Sequence, residues 1–134
     1  MNSAIEIHDS CLTSISQRGA ALEVCLSAYI HKSDGTPGTD AGTGWLQDVT
    51  LVLNNGSVEG STAKWPADLG DGALEIDGEV SENIIPIPLD RSGTIRLTLE
   101  PKWGGRIVVN GNHVHLELQG VPKYVEDFPA DTKA

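Results

Sequence analysis

Apolar residues at every second position are the feature of this sequence that most constrains its fold. In residues 21–31 five apolar side chains alternate with more polar neighbours, and residues 94–100 repeat the pattern. Shorter runs of the same kind surround Leu51, Ile76 and Leu116. Because successive side chains of a strand point to opposite faces, each run predicts a strand with one buried face.

Residues that tolerate a positive φ separate these runs. The sequences NNG, DG and NGN predict tight turns at residues 54–56, 77–78 and 110–112. The third turn predicts a hairpin of residues 105–110 and 113–119. Pro86 and Pro88 cannot donate ladder hydrogen bonds, so their segment is expected at a sheet edge. Residues 122–128 are expected to form at most one helical turn.

The pattern gives about eight or nine short strands, which predicts an all-β fold, either an antiparallel β-sandwich or a flattened barrel. Both architectures pack alternating apolar faces into one core. A chain of 134 residues suits a single domain over residues 1–134. Residues 1–3 and 129–134 are expected to fray.

The net charge of -10, from 19 acidic and 9 basic residues, restricts the partners. Such a field repels phosphate backbones and anionic lipids, so we expect neither nucleic acid nor a membrane as a partner. The sequence shows no basic and apolar leader and no apolar run long enough to span a bilayer. These features predict an acidic cytoplasmic protein whose surface suits a cation or a basic protein.

The two cysteines, Cys11 and Cys25, are too few for a disulfide scaffold and lack metal-ligand spacing. They lie on two strands that must form a hairpin near Gly19. A three-residue turn would place Cys11 opposite Cys25, whereas a two-residue turn would place it opposite Leu26. The second register collects apolar residues on one face, with a bulge near Asp9, so we expect two free thiols.

A loop of about a dozen residues, 31–44, separates two strong strands, and loops of this length in compact domains are often functional. It lacks the ligand spacing of a calcium-binding EF-hand, which favours an acidic loop without an ion. We expect a non-enzymatic protein-binding domain that presents residues 31–48, which include this loop, with self-association through an edge strand as a route to a homodimer. The predicted binding residues are Tyr29, His31, Asp34, Asp40 and Trp45.

A carbohydrate-binding module is the first alternative function. Trp45, Trp65 and Trp103 each lie near Gly or Pro at a loop edge, and exposed indole rings stack on sugars. The same rings can instead close the ends of a core that has almost no phenylalanine. An exposed coplanar pair of indoles would favour sugar binding.

A metal-dependent enzyme of the barrel type is the second alternative. His113 and His115 share one strand face, with Glu117 next to them, and some β-barrel enzymes hold zinc, iron or manganese through an H-x-H pair. No later histidine completes such a set, so a further ligand would come from His8 or His31. Otherwise the pair is simply polar surface, and we expect no cofactor apart from such a divalent metal.

The sequence contains no convincing catalytic motif. His8, Asp9 and Ser10 are the residue types of a hydrolytic triad, but neighbours on a strand point to opposite faces and do not converge. A bulge or turn, in which Asp9 or Ser10 bonds to the backbone, explains them better. No phosphate-binding or dinucleotide-binding glycine motif occurs. The sequence therefore favours a binding domain over an enzyme and predicts no catalytic residue.

Overall fold

The computed structural model describes residues 1–60 and 65–129, and every regular element in these ranges is a β-strand. All pairings between the strands are antiparallel. The predicted all-β antiparallel fold is therefore confirmed. The strands are β1 (Asn2–Arg18), β2 (Ala21–Ser33), β3 (Gly42–Asn54), β4 (Ser57–Gly60), β5 (Ala67–Ile76), β6 (Glu79–Glu82), β7 (Ile84–Ile87), β8 (Asp90–Pro101) and β9 (Ile107–Phe128).

One sheet curves into a ring. Its strand order is β6-β5-β8-β9-β3-β2-β1-β7, and an additional pairing of β1 with β5 joins the two sides. Six strands thus form the ring, β6 and β7 extend it at the seam, and β4 pairs with β9. Pro86 lies in β7, at one end of the strand order, as the missing proline donors predicted.

The inner face of the ring carries the core. Alternate residues of β2, β3, β8 and β9 point inward, and their side chains are almost fully buried. Leu97 and Leu99 of β8 are 0% exposed. The fully buried large side chains are Ile5, Ile7, Leu12, Leu26, Ile30, Leu51, Leu53, Leu69, Ile85, Ile95, Leu97 and Leu99.

A bulge of several residues in β1 makes the ring possible. Glu6 lies opposite Tyr29 of β2, but the next pair joins Cys11 to Ser27, so residues 7–10 face a single residue of β2. Before the bulge the second edge of β1 pairs with β7, and after it the same edge pairs with β5. Bulges bend a strand and increase its twist. The bulge expected near Asp9 is confirmed, and it redirects β1 from one neighbour to another.

The hydroxyl of Ser10 holds this bulge together. It donates a hydrogen bond to the carbonyl oxygen of Glu6 (2.8 Å) and accepts one from the backbone N–H of Tyr29 (2.9 Å). Ser10 is 2% exposed, so water does not replace these bonds. The predicted backbone role of this serine is confirmed.

The predicted hairpin around residues 110–112 is wrong, because β9 runs through this segment without a turn. Asn110 pairs with Ser57 of β4, and His113 pairs with Asn54 of β3. A Cβ on Gly111 would lie 2.9 Å from the carbonyl oxygen of Asn54, so this glycine permits a close strand approach. The helical turn expected at residues 122–128 is also wrong, since this segment is strand.

The other turns agree with the sequence, with one shift. Asn55 and Asp77 adopt positive φ values of 52° and 51° between their strands. The first hairpin has a two-residue turn at residues 19–20, one position later than expected, because Arg18 pairs with Ala21. In the same hairpin the pairing of β1 with β2 shifts once more after the bulge, between Leu12 and Ser14.

The two cysteines are free thiols and do not face each other across β1 and β2. Cys11 lies opposite Ser27 rather than Leu26, and Cys25 lies opposite Ser14. Burial is the main factor that raises the pKa of the Cys11 thiol, and Asp68 raises it further, so this thiol remains protonated and weakly nucleophilic.

The N-terminus is more ordered than the sequence predicted. Asn2 and Ser3, expected to fray, pair with Ser33 and Lys32. Pro129 follows β9, and the remaining C-terminal residues lie outside the described ranges. Within these ranges no helix has the length and apolar character needed to cross a membrane.

Replacing Ser10 by alanine should lower the free energy of unfolding by about 1–3 kcal/mol, because the buried N–H of Tyr29 loses its acceptor. Urea unfolding measures this loss. Ser16→Ala, at an exposed position of the same strand, is the matched control and should change the stability by less than about 0.5 kcal/mol. Equal effects of the two substitutions would contradict the role of Ser10.

Candidate functional site

A second group of buried side chains lies on the outer face of the sheet. Tyr29 and His31 alternate with the core residues Ala28 and Ile30, so they point away from the core. They are nevertheless only 6% and 3% exposed. We call Glu6, Tyr29 and His31, together with the exposed Glu126, the outer cluster.

Two glycines of β3 make room for this cluster. A Cβ on Gly44 would overlap the Tyr29 hydroxyl, and a Cβ on Gly42 would overlap the carbonyl oxygen of Lys32 and lie 2.9 Å from Nε2 of His31. The ring of Tyr29 therefore lies flat across β3. Its hydroxyl donates a hydrogen bond of 2.6 Å to Glu126 of β9. Burial, followed by the Glu126 carboxylate, raises the pKa of Tyr29 well above its usual value.

The imidazole of His31 is fixed in position by a backbone hydrogen bond and by a neighbouring ring. Its Nδ1 accepts a hydrogen bond of 2.6 Å from the backbone N–H of Gly38, so this nitrogen carries no proton. The ring lies 4.5 Å from that of Phe128, and Nε2 has no partner among the described residues. These contacts pack Phe128 of β9 onto the sheet beside His31.

Glu6 brings a carboxyl group to the same buried region. It is 8% exposed, and burial raises its pKa, opposed by the nearby His8 and His31 and reinforced by Asp9 and Glu126. Glu6, His8 and Asp9 also form a group whose potential ligand atoms lie within 4.8 Å of one another.

The hydrogen bonds of His8 are unfavourable for a metal ion in this group. Asn83 accepts from the backbone N–H of His8 (2.7 Å) through its oxygen, so its nitrogen faces Nδ1 of the ring and donates to it. The proton then resides on Nε2, which contacts Asp9 at 3.0 Å. A metal ligand needs a lone pair at that nitrogen, and the asparagine amide works against it.

The structure divides the predicted binding residues between two faces. Tyr29 and His31 lie in the outer cluster, but Trp45 pairs with Ile30 and therefore points to the inner face. There it packs edge-on against Tyr124, at a ring distance of 5.5 Å, below the ammonium group of Lys32. The sequence suggested one surface because alternation alone does not show which residues oppose each other.

The predicted loop is shorter than expected, since β2 and β3 continue to Ser33 and Gly42. Asp40 accepts a hydrogen bond from the backbone N–H of Thr36 (2.6 Å), which caps the loop, while Asp34 is exposed. Neither aspartate belongs to the group of potential ligands around Glu6.

The tryptophans do not form a platform in the described ranges. Trp65 and Trp103 are 37% and 46% exposed, and Trp45 is half-buried. The one aromatic partner of Trp45 in these ranges is Tyr124, at an interplanar angle of 78°. A sugar ring needs an open indole face, and Lys32 covers that of Trp45.

The predicted histidine pair lies on the outer face of β9. We call Asp90, Ser92, His113, His115 and Glu117 the histidine face. The ring centres of His113 and His115 are 6.1 Å apart. Nε2 of His113 contacts Asp90 at 2.7 Å, and Nε2 of His115 contacts Glu117 at 3.0 Å.

Ser92 completes a serine, histidine and aspartate series on this face, since its hydroxyl lies 2.8 Å from Nδ1 of His113. The side chain of Asp90 is 76% exposed, however, and neither Ser92 nor His113 lines the cavity beside Leu74 and Pro86 or the groove beside Leu46 and Lys123. Nucleophilic catalysis requires excluded water and oxyanion donors. The arrangement therefore favours a polar surface over a hydrolytic centre.

A third feature, which the sequence reasoning missed, is a free strand edge. Beyond Leu116, β9 pairs with β3 alone among the described residues. We call residues 118–128 the β9 edge. Large apolar side chains are exposed along and beside it: Leu46, Leu118, Val121, Tyr124 and Val125. The helical turn expected at residues 122–128 hid this edge, because the predicted strand ended at residue 119 whereas β9 continues to Phe128.

No family model, no curated protein and no solved structure matches this chain.

Replacing Gly44 by alanine should destabilise the protein by about 1–3 kcal/mol, because the added methyl group displaces the Tyr29 ring. It should also lower the pKa of Tyr29 towards its ordinary value, which ultraviolet titration detects. Gly70→Ala is the matched control, since a Cβ there makes only ordinary contacts, the nearest at 3.4 Å. An unchanged tyrosine titration in Gly44→Ala would contradict the packing described.

Glu6 should make the protein less stable as the pH rises. Its pKa in the folded protein lies above the ordinary value of 4.5, so the folded state binds more protons than the unfolded state just above that pH. Stability is then lost from about pH 4.5 through the folded pKa. Glu6→Gln should flatten this fall, as measured by urea unfolding across the range. Exposed Glu82→Gln is the control and should leave the slope unchanged.

Proposed function

We propose that this protein is a non-enzymatic interaction domain whose docking site is the β9 edge. The partner is an extended, basic segment of another protein, which adds a strand beside β9. The observation that carries the proposal is the last part of a long strand, residues 118–128, which is paired on one side only among the described residues and is bordered by exposed apolar side chains. Strand addition of this kind is a common mode of peptide recognition.

The backbone supports the proposal by its unpaired groups. Half of the N–H and C=O groups of an edge strand point away from the sheet and offer hydrogen bonds to another strand. Gly120 adopts a positive φ of 68°, and the pairing with β3 shifts between Leu46 and Asp48. This irregularity divides the edge, and we call residues 123–128 the docking segment. A second register shift, between Gly44 and Trp45, leaves Val125 without a partner on β3 within that segment.

The side chains support an apolar contact next to that segment. Val121 and Val125 are 85% and 42% exposed, and no other strand covers them among the described residues. A groove of about 340 Å³ lies beside the irregularity and is lined by Leu46 and Lys123, among others. Exposed apolar groups clustered on one strand are typical of interaction sites.

Charge supports a basic partner rather than a second copy of the chain. Asp48 lines the groove, and Glu126 and Asp127 lie on the docking segment, within a chain of net charge -10. Two such chains repel each other, whereas lysine and arginine side chains are attracted. A homodimer through this edge is therefore the less favoured occupant.

The outer cluster supports the proposal by fixing the edge in place. Tyr29 bonds to Glu126, and His31 packs against Phe128, so the last residues of the docking segment are tied to β2. A preorganised strand loses little entropy on binding. The residues predicted for binding thus act as supports in this proposal, with Tyr29 and His31 beneath the docking segment.

We further propose a cytoplasmic location. Two free thiols, one of them unreactive because of burial, suit a reducing compartment.

A titration with a basic, β-prone decapeptide of alternating lysine, valine and threonine tests the docking site. We expect amide shifts in ¹⁵N spectra confined to residues 117–128 and neighbouring β3, with binding weakened by salt. The double variant Val121→Ser, Val125→Ser should lower the affinity by about tenfold, because it removes apolar contact.

Val80→Ser is the matched control, since Val80 is 55% exposed on β6, which lies at one end of the strand order and does not pair with β9. It should leave the affinity unchanged, and an acidic peptide of the same pattern should not bind. Shifts centred on β6, equal binding of the acidic peptide, or a dimer in sedimentation that the double variant dissociates would each overturn the proposed partner.

A further inference from the structure

We propose that the histidine face binds one Zn²⁺ ion, or a similar divalent transition metal, through His113, His115 and a neighbouring carboxylate, Asp90 or Glu117. The site differs from the sequence expectation, which completed the pair with His8 or His31. It is also independent of docking at the β9 edge.

The register of β8 and β9 assembles the ligands. Asp90 lies directly opposite His115, and Ser92 lies opposite His113. Because side chains repeat every two residues on one face, both histidines, Glu117, Asp90 and Ser92 project from the same side of the sheet. No helix or loop has to move to bring them together.

The spacing of the imidazoles suits a shared ion. Zinc lies about 2.1 Å from a histidine nitrogen, so two rings on one tetrahedral ion have centres roughly 5–6 Å apart. The rings of His113 and His115 are 6.1 Å apart at an interplanar angle of 63°. Their side chains are 28% and 34% exposed. The rings must rotate to share an ion, because their nitrogens and a carboxylate oxygen do not all lie within 4.8 Å of one another, as the ligand atoms of Glu6, His8 and Asp9 do.

Each imidazole already faces an oxygen ligand. Nε2 of His113 lies 2.7 Å from Asp90, and Nε2 of His115 lies 3.0 Å from Glu117. A metal ion would replace the proton now shared in either contact. Two imidazoles and a carboxylate form the mixed donor set that zinc accepts, whereas magnesium and calcium prefer oxygen ligands alone.

The second partner of His113 distinguishes this site from the group around His8. A hydroxyl can donate or accept, so Ser92 can accept a proton from Nδ1 of His113 and leave Nε2 free for a metal. Asn83 cannot do this for His8, because its oxygen is engaged by the backbone N–H of His8. The histidine face is therefore better suited to a transition metal, although its ligands are less buried.

Calorimetric titration of the untagged protein with zinc chloride tests the site. We expect one ion per chain and no corresponding binding of magnesium or calcium. Loss of an outer-sphere partner costs about 10–100-fold in affinity, so His113→Ala and His115→Ala, which each remove a ligand, should weaken binding at least about tenfold. Imidazole ¹⁵N spectra should show zinc-dependent shifts at these two histidines.

His8→Ala is the matched control, because His8 is another partly exposed imidazole with a carboxylate partner. It should leave zinc binding unchanged. Urea unfolding verifies that the variants are folded, and His115→Gln provides a polar replacement of similar size. Absence of zinc binding, retained affinity in both ligand variants, or loss of binding in His8→Ala would overturn the proposal.

Discussion

The hydroxyl of Ser10 and the bulge that it bridges are the constraint on which the remaining structure depends. Four residues of β1 face one residue of β2 at this point, which would leave backbone groups unpaired in a buried region. Ser10 supplies an acceptor for Tyr29 and a donor for Glu6, and Asn83 accepts hydrogen bonds from the backbone N–H groups of Ile7 and His8. Because β1 pairs with β7 before the bulge and with β5 after it, the sheet closes into a ring around the core.

The same bulge creates the polar chemistry of the outer face. It places Glu6, His8 and Asp9 close to Tyr29 and His31, which lie on the outer face of β2. Gly42 and Gly44 then allow these rings to lie across β3 and reach β9. Tyr29 and His31 tie the end of β9 to β2, through a hydrogen bond to Glu126 and a ring contact with Phe128.

The sequence predicted much of the fold because alternation reports burial directly. Leu22, Val24 and Leu26 of β2 are buried as expected, and so is Leu97 of β8. The hairpin at residues 110–112 failed because asparagine and glycine serve two purposes. They permit a turn, but Gly111 also permits close packing against Asn54, and composition does not distinguish the two. The candidate site was predicted only in part. Tyr29 and His31 lie together as expected, but Trp45 lies on the opposite face of the sheet, because alternation does not show which residues of two strands face each other.

By itself the sequence determined the class of fold, the core-facing residues of the strong strands, most turns and the edge position of Pro86, since each follows from the period of a strand or the backbone of one residue. Only the tertiary structure decided which strands are neighbours and which residues oppose each other. That information resides in long-range pairing, such as Asp90 with His115 or Gly44 with Glu126. A register shift of one residue moves every side chain of a strand to the other face. The local sequence pattern therefore could not predict the contacts within the outer cluster or within the histidine face.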